Sequence, residues 1–199
     1  MITTPTPNEA IDALETTLGL PSGFLDGLLH ESDWSFIVKS HAFLEAALTH
    51  LLVTELGRPA LQDTFARLEL SNKTTGKMAF LKSLSLLDDD SRRFVTALSE
   101  LRNQVVHDVR NVGFTFASHL ASLSDSERKA FAKKFLPPVP RRSPSASAFE
   151  SLILTKPLHC IFAGVLLLAN IVYFSEPQVR TKQLLALLTE ELSKGPHGA

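Results

Sequence analysis

Apolar residues recur along this chain at intervals of three and four, and no segment shows the strict alternation of a half-buried strand. Phe94, Leu98, Leu101 and Val105 are separated by four, three and four residues, a stripe that runs down one side of a helix and faces a core. Ile37, Leu44, Leu48 and Leu51 repeat the helical interval earlier in the chain. Leu and Ala are abundant while Val and Ile are modest, which favours helix over strand. The expected fold class is therefore all-α, a multi-helix bundle. With 199 residues, 44% hydrophobic and 21% charged, the chain is long and apolar enough to build one globular domain over 1–199.

Punctuation residues divide the helices. Asn8 is placed to cap a first helix reaching Leu18, and Pro21-Ser22 opens a short second one. Ser32 or Asp33 caps a long helix from Trp34 to Leu56, stopped by Gly57 and Pro59. Ala60 to Leu68 reads as a shorter helix, Ser71 to Thr75 as a polar turn, and Lys77 to Leu87 as helix again. Asp88, Asp89 and Asp90 precede the next helix, Ser91 to Asp108, where negative charge meets the positive end of the helix dipole. Asn111-Val112-Gly113 breaks the pattern; Phe114 to Leu123 follows, and Ser124 or Asp125 caps a helix to Phe135.

The C-terminal third differs in composition. Residues 137–147 hold four prolines and two arginines and read as an exposed loop. One long apolar helix is expected from Phe149 to Phe174 and a final amphipathic helix from Gln178 to Leu192, so that C-terminal helices span 149–192. The run Leu158 to Phe174 is near the minimum length for crossing a bilayer, but it lacks a basic anchor and is read as a buried helix, with no membrane partner.

The formal net charge of -1 argues against a protein that coats nucleic acid, though it leaves room for a local basic patch. The single cysteine, Cys160, excludes an internal disulfide and fits a reducing compartment. Met1 to Asn8 is rich in Thr and Pro and lacks the basic start and apolar run of a signal peptide, so a cytoplasmic location is expected.

The stretch Arg102-Asn103-Gln104-Val105-Val106-His107 carries the most chemistry. Asn103 and His107 are four residues apart and share a helix face. Arg102 and His107 are five apart, which directs them about 140° away from each other on an ideal helix. A second copy related by symmetry can complete such a site. Histidine titrates near neutrality and can take a ribose 2′-hydroxyl proton or protonate a leaving oxygen. Arginine stays charged and grips a phosphate through two donors. Asn103 can orient the histidine or donate to a phosphate oxygen. Spacing alone leaves a plain structural reading open, in which Arg102 pairs with Glu100, Asp108 or Asp88 to Asp90 and His107 satisfies a carbonyl.

Arg102-Asn103-Gln104-Val105-Val106-His107, followed by Asp108, resembles the Arg-Asn-x-x-x-His signature of HEPN domains (higher eukaryotes and prokaryotes nucleotide-binding). The earlier helix, from Asp33-Trp34-Ser35-Phe36 to Leu48, is similar to the long early helix of that superfamily, and to its mannitol-repressor-like branch in particular. The resemblance covers about residues 30–135. It implies a HEPN-like bundle, here with an added apolar C-terminal helix, that dimerises with its signature helices facing each other. It implies a metal-independent endoribonuclease of a toxin or defence type, needing no cofactor, with RNA as substrate and an antitoxin or regulatory protein as partner. Arg102 and His107 match the catalytic pair, and Asn103 its polar companion. The alternative within the same fold is a non-catalytic regulatory or interaction module.

Further candidates flank this stretch. Asp33, Lys39, His41 and Glu45 lie on the long early helix and can line the same cleft, Lys39 as an RNA contact. His41 and Glu45, four apart, can pair so as to orient the imidazole. Arg128, Lys129, Lys133, Lys134, Arg141 and Arg142 form a basic region without an intervening acid, able to attract an RNA backbone or simply to be solvated. His159 and Asn170 are expected as hydrogen-bonded core or interface groups, and Cys160 as a small buried residue.

Overall fold

The computed structural model describes residues 7–139 and 144–181, and every regular element in them is helical. Helix α1 spans Pro7–Thr17 and α2 Phe24–Gly27. Helix α3, Asp33–Leu56, is the central pillar, flanked by α4 (Gln62–Ala66), α5 (Lys77–Ser83) and α6 (Asp89–Val106). Helices α7 (Phe116–Ser122) and α8 (Asp125–Phe135) follow, then α9 (Pro144–Leu152) and α10 (Pro157–Ser175). Helix α3 packs on α10, α6 and α4, and α1 covers the other side of α10.

Cap chemistry sets the ends of α3. The Ser32 hydroxyl accepts the Ser35 N–H at its start, and Gly57 closes it at φ 60°, a left-handed geometry that a side chain resists. The buried face of α3, including Phe36, Ile37, Leu44, Leu48 and Leu51, meets Phe94, Leu98 and Leu101 of α6 and Ile161, Val165 and Leu168 of α10 in one continuous core. Gly164 allows α10 to approach α6, because a Cβ there would run into the ring of Phe94.

Several expected boundaries shift. The single helix expected over Phe149–Phe174 is two, α9 and α10, because Pro157 has no N–H to donate and its ring opposes a continuing helix. The expected loop over 137–147 is only partly a loop: Pro137 is buried and α9 already begins at Pro144, while 140–143 lie outside the described residues. The helix expected to reach Leu87 stops at Ser83, where Ser85 turns to φ 54° and the Leu86 N–H reaches back to the Leu81 carbonyl. Residues 59–61 form a 3-10 turn ahead of a shorter α4. The first helix starts at Pro7, whose fixed φ suits a first helical position, so Asn8 lies inside it. Helix α6 begins at Asp89, with Asp88 as its cap rather than all three acids ahead of it. Residues 177–181 are helical, and the rest of the expected final helix lies outside the described residues.

Candidate functional site at the end of α6

Helix α6 is held at both ends. At its start, the Asp88 carboxylate accepts the Ser91 N–H at 2.8 Å. At its end, His107 is the cap residue just past Val106, its N–H reaching the Asn103 carbonyl at 3.2 Å. Two side chains then take carbonyls of the final turn that the helix itself leaves unpaired. Trp34 of α3 donates its indole N–H to Val105 at 3.1 Å, and Asn111 donates to Gln104 at 3.0 Å. The next segment is a 3-10 turn, Val109–Gly113, capped and clamped by Asp108, whose carboxylate takes the Arg110 backbone N–H at 2.9 Å and the Arg110 guanidinium at 2.6 Å. The Arg110 guanidinium beside it holds the Asp108 carboxyl below the usual carboxylate range. Asp33 accepts the Phe116 N–H at 2.7 Å, so adjacent residues of α3 fix both the end of α6 and the start of α7.

Arg102 is partly buried. One guanidinium N–H donates to the Asn103 side-chain oxygen at 3.0 Å, and no carboxylate forms an ion pair with Arg102 among the described residues. The acids that spacing offered as partners are committed elsewhere. Glu100 binds Lys134 at 2.9 Å, Asp108 binds Arg110, Asp89 and Asp90 bind Arg92 and Arg93, and Asp88 caps the helix. His107 is exposed, and its imidazole makes no hydrogen bond among the described residues. Asn103 therefore braces Arg102, and its side-chain oxygen is not turned to His107.

Behind Arg102 lies a polar layer inside the bundle. His41 is buried and its Nε2 lies 3.2 Å from the Ser99 hydroxyl of α6. Burial pushes the His41 imidazole below its ordinary value, with Arg102 and Lys77 acting in the same direction and Glu45 against them. The expected His41–Glu45 pairing is replaced: Glu45 instead receives Lys77 of α5 at 2.8 Å. Lys77 is 0% exposed and also donates to the Ala66 carbonyl at 3.3 Å, so its buried charge is both paired and hydrogen-bonded. Composition gave no signal for this lysine, which occupies the first position of α5.

The other basic candidates have mixed fates. Lys39 is bound to Glu31, and Arg128 donates to the Leu120 carbonyl at 2.9 Å as a brace between α7 and α8. Lys129 and Lys133 line a cleft of about 500 Å³ with Arg93, Asp90 and Glu150, whereas Lys134 pairs with Glu100. Arg141 and Arg142 lie outside the described residues. His159 is exposed rather than in the core, because it sits in the first turn of α10 on the side away from the buried Cys160 and Ile161. Asn170 donates to the Leu166 carbonyl of its own helix at 2.9 Å. Burial pushes the Cys160 thiol up, away from reactivity. Among the described residues, no group of three His, Cys, Asp or Glu side chains is gathered to hold a metal ion.

The fold and this site define a helical bundle with an uncommitted guanidinium and imidazole at one helix end. Compared with known proteins, the chain matches no family model, no curated protein and no solved structure.

Proposed function

We propose that this chain is a metal-independent endoribonuclease of the HEPN-like type, working as a symmetric homodimer in the cytoplasm and held in check by a protein partner. The observation that carries this reading is Arg102: a partly buried guanidinium without an acidic partner, on the same helix end as an exposed imidazole without a hydrogen bond. A partly desolvated cation with spare donors favours an anion, and the phosphodiester is the anion His107 is chemically fitted to work on. In the reaction, the ribose 2′-oxygen forms a bond to phosphorus while the bond to the 5′-oxygen breaks. The His107 of one copy takes the 2′-hydroxyl proton, and a proton from water goes to the leaving 5′-oxygen. Arg102 holds the non-bridging oxygens as charge builds on them, and Asn103 keeps Arg102 in place. A second copy is seated against the 3-10 turn beside His107, where Val109 and Val112 stand 85% and 63% exposed.

Purified protein is expected to cut single-stranded RNA in the presence of a chelator, leaving a 2′,3′-cyclic phosphate. Arg102→Ala and His107→Ala each lower the rate by about a hundredfold or more. Cleavage that continues unchanged in both variants removes the assignment. A non-catalytic interaction module is favoured by one feature, the roughly 140° between Arg102 and His107 on a single helix. It predicts no cleavage, and loss of dimerisation in Arg102→Ala.

A further inference from the structure

A second region of α6 carries charge that the proposed chemistry does not use. A cleft of about 400 Å³ is lined by Lys73, Lys82, Arg92, Arg93 and Lys134, with Asp89 and Glu100 as its carboxylates. Its arginines are preorganised. Arg92 is bonded to the Leu87 carbonyl and to Asp89, and Arg93 to Asp90 and, at 3.0 Å, to the Leu136 carbonyl. Lys73 and Lys82 are exposed and form no ion pair among the described residues. Met78 and Ala97 supply apolar floor between the charges.

The cleft continues along the helix. It shares Ala97, Glu100 and Lys134 with a second one of about 240 Å³, which in turn shares Gln104 and His119 with a third of about 250 Å³. The third is walled by Asn111 and Gly113 of the 3-10 turn that follows His107. From Arg92 to His107 the helix rises about 22 Å, the reach of a few nucleotides of extended strand.

We propose that the Lys73–Lys82–Arg92 cleft binds the phosphodiester backbone of single-stranded RNA at a distance from the bond being cut, with the groove along α6 leading the strand to His107. This rests on the ribonuclease reading for its ligand. Two lysines with no carboxylate to satisfy them, beside two arginines fixed by carbonyls, form a cationic channel that holds a strand by charge and not by sequence. The apolar floor suits ribose or base between successive phosphates.

The test uses the full chain and a fluorescent 2′-O-methyl oligoribonucleotide, which has no free 2′-hydroxyl to attack and stays intact. Binding is followed by anisotropy between about 50 and 200 mM salt. Lys73→Glu with Lys82→Glu is expected to weaken binding at least about tenfold and to flatten the log-log salt dependence by about 1.4, two single-strand phosphate contacts. Arg58→Glu with Lys156→Glu, two exposed cations outside the cleft, serves as the charge-matched control and should change binding much less. Circular dichroism confirms that each variant folds. Equal affinity and slope in the double variant, an equal loss in the control, or no binding by the unaltered chain overturns the channel. The two readings fail separately. Oligomer bound through Lys73 and Lys82 without cleavage of natural RNA leaves the channel and removes the nuclease. Cleavage with unchanged kcat/KM in the double variant leaves the nuclease and removes the channel.

Discussion

Arg102 and His107 leave the same helix in directions about 140° apart, so a site that uses both needs one group from each of two copies. This makes a quantitative prediction. Under the proposed function, Arg102→Ala and His107→Ala should each be nearly inactive as homodimers. Mixed in equal amounts and allowed to exchange subunits, they form heterodimers as half of all dimers. In a two-fold symmetric dimer each heterodimer has one site with both groups and one with neither, so activity recovers to about one-quarter of the unaltered protein. The doubly substituted chain gives the converse. Mixed in equal amount with unaltered chain, it leaves only unaltered homodimers active, about one-quarter of the full rate, whereas a site built within one copy would leave about half. The assay is initial cleavage rate on a quenched fluorescent RNA, with exchange verified by mass spectrometry of differently tagged chains. Exchange without recovery refutes the shared-site reasoning, because it would mean that Arg102 and His107 act within one copy.

Other expectations follow from single contacts. Val109→Lys with Val112→Lys should convert the proposed dimer to monomer in light scattering while changing stability by only about 0.5 kcal/mol, since both residues are exposed in one copy; a persistent dimer places the interface elsewhere. Burial holds the His41 and His119 imidazoles below the ordinary 6.5, so below that pH the unfolded chain binds protons that the folded one refuses. Stability should therefore be level above pH 6.5 and fall below it, by at most about 1.4 kcal/mol per pH unit for the buried His41 imidazole and by less for the partly exposed His119, until the folded groups protonate. His41→Gln should flatten that slope in urea unfolding, and an unchanged slope would mean that His41 does not carry it. Gly164→Ala gains about 1 kcal/mol of helix propensity but drives a methyl into the buried Phe94 ring, at a cost of about 1–3 kcal/mol. A net loss near 1 kcal/mol in thermal unfolding is expected, and a gain would mean that α6 and α10 cross less closely.

The helices were legible because their signals are local. Ser32, Asp88 and Ser124 announce helix starts within three residues, and the stripe Phe94, Leu98, Leu101 and Val105 is buried throughout. Ser124 and Glu127 even complete a capping box. What the residues could not show is partner choice at long range. Trp34 finds a carbonyl 71 residues away, Lys77 finds Glu45 across 32, and Asp33 receives an N–H across 83. Such pairings depend on how helices are stacked, which interval and composition do not encode. The His41–Glu45 pairing failed for the same reason: each side chain met a better partner on another helix, Ser99 and Lys77, than on its own. The split at Pro157 was within reach of local reasoning, but the apolar run on both sides of the proline hid it.

Charge is unevenly spent around α6. The net charge is -1, yet the acids around α6 are consumed locally: Asp89 and Asp90 by Arg92 and Arg93, Glu100 by Lys134, Asp108 by Arg110. Three of these pairs are exposed and contribute little to stability. Their effect is on the neighbours they fail to neutralise. Arg102 has only an amide oxygen for company, and Lys73 and Lys82 have no carboxylate at all among the described residues. Three cations left without a carboxylate, Arg102, Lys73 and Lys82, therefore lie on or beside α6, although the sum over the chain is slightly negative. If Glu100 were released by Lys134→Ala, its freed carboxylate would face the groove between the cationic cleft and His107. RNA affinity should then fall by more than the loss of one cation explains, and a fall equal to that in Lys129→Ala would show that the pairing does not shape the field.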